Sequence, residues 1–254
     1  MFKLSKYEIR KNILGLIIMF GAIVGIEIYF LISAFVESGK HTAFSSGLLI
    51  MSSVIAYFGV LIYGVASYSK ELNRKTGYMT FMTPISSFSI IGSKLVSTLI
   101  IGIFFVVLLG ILAVIDMAIV ENVFPETKVF SDFIDVLANA FGTNAGKIWI
   151  SVGIGIFSML IESFAIVAIA YMSITLTATI FQNKKWKGLV SVLIFVLIML
   201  AVIKTAELIP DIYDTTVKWS QAIINVIPLI IYMIAVDTAC IFVSGRLLDK
   251  KVSL

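Results

Sequence analysis

Cysteine, histidine and charge are all scarce in this 254-residue chain. It has one cysteine, Cys240, and one histidine, His41. A single cysteine excludes an intrachain disulfide and a zinc site made of several cysteines, and a single histidine excludes the two-histidine zinc motif HExxH. Charged residues make up only 13% of the chain, about half the usual share. These scarcities exclude a disulfide-stabilised domain and the common zinc enzymes.

Apolar residues dominate the composition instead. They form 60% of the chain, and the mean hydropathy is +1.08. A helix needs about 20 apolar residues to cross a bilayer, and such a composition also excludes a disordered chain. The sequence therefore predicts an all-α polytopic membrane protein with one domain over 1–254. The six predicted transmembrane helices fall in runs 13–36, 43–68, 95–120, 148–181, 189–203 and 222–244.

The distribution of basic residues predicts the orientation. If both termini are cytoplasmic, 14 of the 19 Lys and Arg residues lie in the cytoplasmic segments 1–12, 69–94, 182–188 and 245–254. This is the asymmetry expected from the positive-inside rule. We expect a multi-pass protein of the plasma membrane, in which the basic charge sets topology and does not bind nucleic acid.

Two segments outside the predicted spans have helical patterns. Segment 1–12 is basic and partly amphipathic, and it predicts an interfacial helix on the cytoplasmic leaflet; a frayed basic tail is the alternative. Segment 121–147 is predicted to be extracellular, with a short amphipathic helix in which Asp132 and Asp135, three residues apart, lie among apolar residues.

The cytoplasmic segment 69–94 contains strong helix-end signals. Gly77 predicts a helix end, and Thr83-Pro84 predicts the next helix start. Between them lie the apolar residues Tyr78, Phe81 and Met82. Such residues on a cytoplasmic loop favour either a docking surface or an aromatic belt at the lipid interface, and the pattern alone does not decide between the two.

The same segment resembles the cytoplasmic loop of ABC-2-type transporter permeases, in the run Lys70-Glu71-Leu72, Thr76-Gly77, Phe81-Met82-Thr83-Pro84-Ile85-Ser86 and Gly92-Ser93-Lys94. It departs from that pattern in having only one acid, Glu71, before the Thr-Gly pair. The resemblance implies an exporter transmembrane domain of the type V kind, similar to the short peptide-exporting and immunity permeases of Gram-positive bacteria, such as phenol-soluble modulin exporters. It also implies a coupling helix that contacts an ATPase subunit, at or near Lys70, Glu71, Arg74, Thr76, Gly77, Tyr78, Phe81 and Pro84.

The resemblance further implies partners and a division of labour. The sequence has no GxxxxGK[ST] phosphate-binding loop. We therefore expect no cofactor and no enzymatic activity in this chain, with ATP and Mg²⁺ bound by a separate ABC ATPase. Two ATPase copies would bind to the cytoplasmic side of two copies of this chain, which lie in the bilayer. The expected cargo is an amphipathic peptide; drugs, lipids and other hydrophobic molecules are the alternatives.

Four acids interrupt the apolar runs: Glu27, Asp116, Glu162 and Asp237. An acid at the centre of a membrane helix costs about 2.5–3.5 kcal/mol on insertion scales. These acids are candidates to line a pathway for cationic or amphipathic cargo. Alternatively, each is protonated or hydrogen-bonded to a neighbouring helix. They lie on different spans, so the sequence indicates no pair and no metal site.

Two other functional classes fit an apolar chain of this length. An intramembrane carboxylate-dependent enzyme would need paired acids within the spans. A channel or scaffold that works without an ATPase would tolerate alanine in the 78–84 stretch. Both remain alternatives to the transport subunit.

Overall fold

Helices are the only regular elements in the described part of this computed structural model, which covers residues 2–73, 86–141, 145–180, 186–209 and 219–252. They are α1 (Phe2–Lys11), α2 (Ile13–Phe35), α3 (Gly39–Asn73), α4 (Ser87–Val123), α5 (Val129–Phe141), α6 (Ala145–Ile180), α7 (Lys187–Ala206) and α8 (Trp219–Val252). The all-α prediction is confirmed for these residues.

Six of these helices are long and apolar enough to span a membrane. The spanning segments are Ile13–Phe35, Gly39–Leu72, Ser87–Val123, Trp149–Ile180, Lys187–Ala206 and Asn225–Asp249. The predicted number of spans is confirmed, and the long fourth run is indeed one unbroken helix. Most segments extend beyond the predicted ends, because polar residues such as Ser69 and Lys94 continue the helical hydrogen bonding at the ends of apolar runs.

The two short helices match the amphipathic segments. Helix α1 covers most of segment 1–12, and α5 lies within segment 121–147. The carboxylate of Glu121 holds the first turn of α5. Its Oε2 accepts hydrogen bonds from the backbone N–H groups of Phe130 (3.0 Å) and Ser131 (3.2 Å), and its Oε1 accepts one from Ser131 Oγ (2.7 Å). Free N–H groups at a helix start favour such an acceptor.

The chain divides into two compact units. The first comprises Met1–Lys6, Leu61–Leu99 and Ser151–Leu254. Within it, buried Ala168, Ile169 and Cys240 form a small apolar cluster with partly buried side chains of α6, α7 and α8. Buried hydroxyl groups in this unit donate hydrogen bonds to backbone carbonyls one turn earlier in the same helix. For example, Thr177 Oγ1 donates to the Ser173 carbonyl at 2.6 Å.

The second unit comprises Tyr7–Val60 and Ile100–Ile150. Its buried apolar residues include Ile23, Phe30 and Phe105. A hydroxyl pair, Ser33 Oγ to Ser45 Oγ at 2.9 Å, joins α2 to α3. Many large apolar side chains of the spanning helices stay exposed on the single chain, as expected of surfaces that face lipid.

Close helix packing occurs at Gly64. Gly21-xxx-Gly25 is a small-xxx-small pattern that permits tight packing, yet no described atom lies within 4 Å of a Cβ added at either glycine. In the first unit, by contrast, a Cβ at Gly64 would lie 2.7 Å from Thr98 Oγ1. Gly64 is therefore the position at which α3 and α4 approach each other.

Candidate functional site

The candidate site lies where α3 ends and α4 begins, on the two sides of residues 74–85. The carboxylate of Glu71 in α3 forms an ion pair with the ammonium group of Lys94 in α4. The side chains are only 7% and 2% exposed, respectively. Lys94 Nζ also donates to Ser67 Oγ at 3.4 Å. Burying two charges is unfavourable unless they are paired and hydrogen-bonded, so this pair fixes the two helices to each other.

Of the eight residues predicted to contact an ATPase, the structure describes two, Lys70 and Glu71. Lys70 is exposed, whereas Glu71 is buried in the ion pair. The other six, Arg74, Thr76, Gly77, Tyr78, Phe81 and Pro84, lie outside the described residues. The sequence marked Glu71 as a candidate contact residue, but it did not identify Lys94 as its partner. Lys94 was expected to be a charge flanking the third span, and it is instead buried within helix α4.

An aromatic and hydroxyl cluster lies one turn before Glu71. The rings of Tyr68 in α3 and Tyr171 in α6 stack with centroids 4.2 Å apart. Thr175 Oγ1 donates to the Tyr171 carbonyl at 2.8 Å. A hydroxyl has only one proton to donate, so Tyr68 is the donor in its 2.6 Å bond to Thr175. The cluster therefore fixes α3 against α6.

The Tyr171 hydroxyl completes this cluster. It donates to the backbone carbonyl of Gly64 at 3.0 Å, and both tyrosines are 1% exposed. The tyrosines are separated by more than 100 residues, so no local sequence pattern marks them. The sequence offers one signal for this cluster, which is that two tyrosines lie within apolar runs. A buried phenol requires a hydrogen-bond partner, so each tyrosine predicts a polar group on another helix.

The N-terminal helix reaches the same region of the first unit. Ser5 Oγ donates to the backbone carbonyl of Ser93 at 3.0 Å, directly before Lys94. Both serines are 1% exposed. The basic, partly amphipathic pattern of segment 1–12 gave no sign that Ser5 joins α1 to α4.

A small polar cavity of about 210 Å³ also lies near the end of α3. Its lining residues are Ser69, Ile174, Thr177, Lys187, Gly188 and Ser191. Three hydroxyl-bearing residues and one lysine make the lining polar at the start of α7. The cavity, the ion pair and the tyrosine cluster together place several polar groups inside this part of the first unit.

The four acids within the spans have different surroundings. Glu27 and Asp237 are buried, at 9% and 6% exposed, Asp116 is intermediate, and Glu162 is exposed. The carboxyl groups of Glu27 and Asp116 lie within hydrogen-bonding range of each other. The sequence did not reveal this contact, because the acids lie on different spans. Hydropathy does not reveal the rotation of α2 and α4 that turns the two side chains towards each other.

The serines near Glu162 in α6 donate hydrogen bonds along their own helix. Ser158 Oγ donates to the Gly155 carbonyl at 2.9 Å, and Ser163 Oγ donates to the Met159 carbonyl at 2.6 Å. Glu162 thus presents its carboxylate on the surface of the single chain, near the middle of the span Trp149–Ile180. In the described part of the chain no group of three or more His, Cys, Asp or Glu residues could hold a metal ion.

Fold and composition define the class: a multi-pass, α-helical membrane protein whose described residues include six helices long and apolar enough to span a bilayer. Comparison with protein-family models, curated proteins and solved structures finds no match.

Proposed function

We propose that this chain is the membrane-spanning permease subunit of an ATP-driven ABC exporter of the ABC-2 type. Two copies would form the translocation pathway, and a separate pair of ABC ATPase subunits would bind and hydrolyse ATP with Mg²⁺. The chain itself would be a transport subunit and not an enzyme. Both termini would lie in the cytoplasm of a plasma-membrane protein.

The observation that carries the proposal is the buried Glu71–Lys94 ion pair. It joins the helices that enter and leave segment 74–85, and this is the segment whose motif resembles a coupling loop. If an ATPase pushes on the segment, helices fixed at their bases move together, and the motion is transmitted into the bilayer. Coupling between distant sites needs a structural element that can adopt two arrangements. In this proposal the joined ends of α3 and α4 are that element.

The tyrosine cluster supports the same mechanism. Tyr68 lies one turn from Glu71 and is hydrogen-bonded to Thr175 in α6. A displacement at the end of α3 would therefore extend to α6, whose middle part carries the exposed Glu162. In this proposal Glu162 lines the pathway, and its negative charge favours cationic, amphipathic peptides over neutral lipids or drugs.

Copurification tests the proposal directly. We would express the chain with each ABC ATPase of its genome and measure the stoichiometry of the purified complex. We expect a complex of two permeases and two ATPases, lost when Tyr78, Phe81 and Met82 are all changed to Ala. The matched control changes three exposed apolar residues of α4, Phe104, Val107 and Ile111, to Ala. No complex with any ATPase, or equal loss in the control, would refute the proposal.

The Glu27–Asp116 pair favours a second candidate function, an intramembrane carboxylate-dependent hydrolase. Paired carboxyls are what such an enzyme needs, with one acting as acid and the other as base. The test is cleavage of transmembrane peptides by the purified chain in detergent. Cleavage that disappears in both Glu27→Gln and Asp116→Asn would favour the enzyme.

A further inference from the structure

The carboxyl pair of the second unit lies at matched depths in two spanning helices. Glu27 lies eight residues before the end of α2, and Asp116 lies seven residues before the end of α4. At 1.5 Å per residue, these positions are about 12 Å and about 10 Å from their helix ends. The two carboxyl groups lie within hydrogen-bonding range of each other.

Both carboxyls have oxygens that no described group satisfies. Glu27 is only 9% exposed, and its Oε2 is buried without a hydrogen-bond partner, as is Oδ1 of Asp116. Glu27 is the titratable neighbour of Asp116. On α3, Lys40 and His41 lie in the first turn, and the His41 ring contacts the Tyr29 hydroxyl at 3.3 Å. Across residues 2–73 and 86–141, neither carboxyl of the pair forms an ion pair with a cation.

Two ionised carboxylates cannot form this arrangement. A carboxylate only accepts hydrogen bonds, so a contact between two carboxyl groups needs a proton on one of them. Two adjacent negative charges in an apolar medium also repel strongly. The described residues place no third His, Cys, Asp or Glu beside the two carboxyl groups that would complete a metal site.

We propose that Glu27 and Asp116 form a proton-binding site within the membrane. A proton held between the two carboxyl groups supplies the missing donor and leaves the pair with one negative charge. A second proton makes the pair neutral. Asp116, which is partly accessible, is the member through which the proton exchanges, and Glu27 is the buried member.

This site does not depend on the transport proposal. A proton-binding pair would exist whether or not an ATPase binds to the chain, so failure of one proposal leaves the other intact. If the chain is an exporter, the pair gives α2 and α4 a charge that changes with pH. That charge would make the packing of two spans sensitive to the proton concentration outside the cell.

The test uses dicyclohexylcarbodiimide, an apolar reagent that labels protonated carboxyls in membranes. The carboxyl O–H adds across one C=N bond, so the oxygen bonds to the central carbon and the proton moves to a nitrogen. The mass of the labelled peptide therefore rises by that of the whole reagent. We expect labelling of Glu27 or Asp116 in the intact, membrane-embedded chain at neutral pH, and decreasing labelling as the pH is raised.

Substitution of either partner provides the variant test. In Glu27→Gln or Asp116→Asn, the new amide N–H can donate to the surviving carboxylate and stabilise its ionised form. We expect labelling of that carboxyl to fall by about tenfold, which corresponds to one pH unit in proton affinity. Glu162→Gln, which changes an exposed acid outside the pair, is the matched control and should leave labelling of the pair unchanged.

Infrared spectroscopy of the wild-type chain provides a second readout that does not require a folded variant. We expect a carbonyl band of a protonated carboxylic acid at neutral pH, shifted in D₂O and lost on alkalinisation. The proposal would be overturned if the wild-type chain lacked this band, if neither carboxyl were labelled, or if labelling were equal in both pair variants and the wild type.

Discussion

Glu71, in the last turn of α3, and Lys94, in the second turn of α4, are both almost completely removed from solvent and form an ion pair with each other. They come from opposite sides of residues 74–85. Because charges are costly to bury singly, each residue makes the burial of the other possible. The pair therefore fixes the separation of the two helices at the base of this segment.

Removal of one partner of the pair should be strongly destabilising. We predict that Lys94→Met lowers the free energy of unfolding by about 3–5 kcal/mol, because Glu71 is left buried without its counter-charge. The measurement is unfolding in mixed micelles with increasing denaturing detergent. The double variant Glu71→Leu with Lys94→Met should recover much of the loss, since no unpaired charge remains.

An exposed ion pair offers a matched control for this prediction. Lys204 Nζ donates to Glu207 Oε2 at 2.7 Å, with side chains 73% and 56% exposed. Lys204→Met should change the free energy of unfolding by no more than about 1 kcal/mol, because water solvates the remaining carboxylate. Equal effects of Lys94→Met and Lys204→Met would show that burial of the Glu71–Lys94 pair does not matter.

Gly64 should not tolerate a side chain. We predict that Gly64→Ala destabilises the chain by about 1–3 kcal/mol, because the new Cβ would lie 2.7 Å from Thr98 Oγ1 and force α3 away from α4. Gly21→Ala is the control, since its Cβ would meet no described atom within 4 Å. The same detergent unfolding assay compares the two. A stabilised Gly64→Ala variant would contradict the close approach of the helices.

Glu121 should determine the order of α5. In Glu121→Ala, the N–H groups of Phe130 and Ser131 lose their acceptor, so backbone amides of Val129–Phe141 should exchange with deuterium several-fold faster. Glu126→Ala removes an exposed acid of the neighbouring turn and should leave exchange unchanged. Unaltered exchange in Glu121→Ala would mean that α5 forms without this contact.

The surroundings of Glu162 can be tested by cysteine accessibility. The chain has one cysteine, so Cys240→Ala provides a cysteine-free background. We predict that Glu162→Cys in that background reacts with a membrane-impermeant thiol reagent, because an exposed acid at mid-span needs water or a polar partner. Val107→Cys, an exposed apolar position of α4, should remain unreactive because it faces lipid. Protection of both positions would argue against a water-filled pathway beside Glu162.

Local patterns predicted much of the fold. The spans follow from apolar run length, and α5 follows from the helical spacing of Asp132 and Asp135 among apolar residues. The predicted helix ends were less accurate. Helix α3 continues to Asn73, beyond the predicted end at 68, and α4 begins at Ser87, before the predicted start at 95. Hydropathy locates the apolar centre of a helix, whereas backbone hydrogen bonding continues through polar residues beyond it.

The candidate site was predicted only in part. Glu71 was marked by its motif, but Lys94 was not identified as its partner. The contacts of Ser5 with Ser93 and of Tyr68 with Tyr171 were not predicted either. Among the acids, Glu162 proved exposed and Glu27 proved to be paired with Asp116. Each of these outcomes depends on the rotation of a helix about its axis, and a nearly uniform apolar sequence contains little information about rotation.

The sequence by itself determined that this chain is helical, apolar and built from six membrane-spanning segments, because the length and hydropathy of a run are local properties. Only the tertiary structure decided which polar side chains meet. Glu71 with Lys94, Tyr68 with Thr175, and Glu27 with Asp116 are all pairs between different helices. The physical reason is that a buried polar group must find a partner, and packing of the helices determines which partner lies within reach.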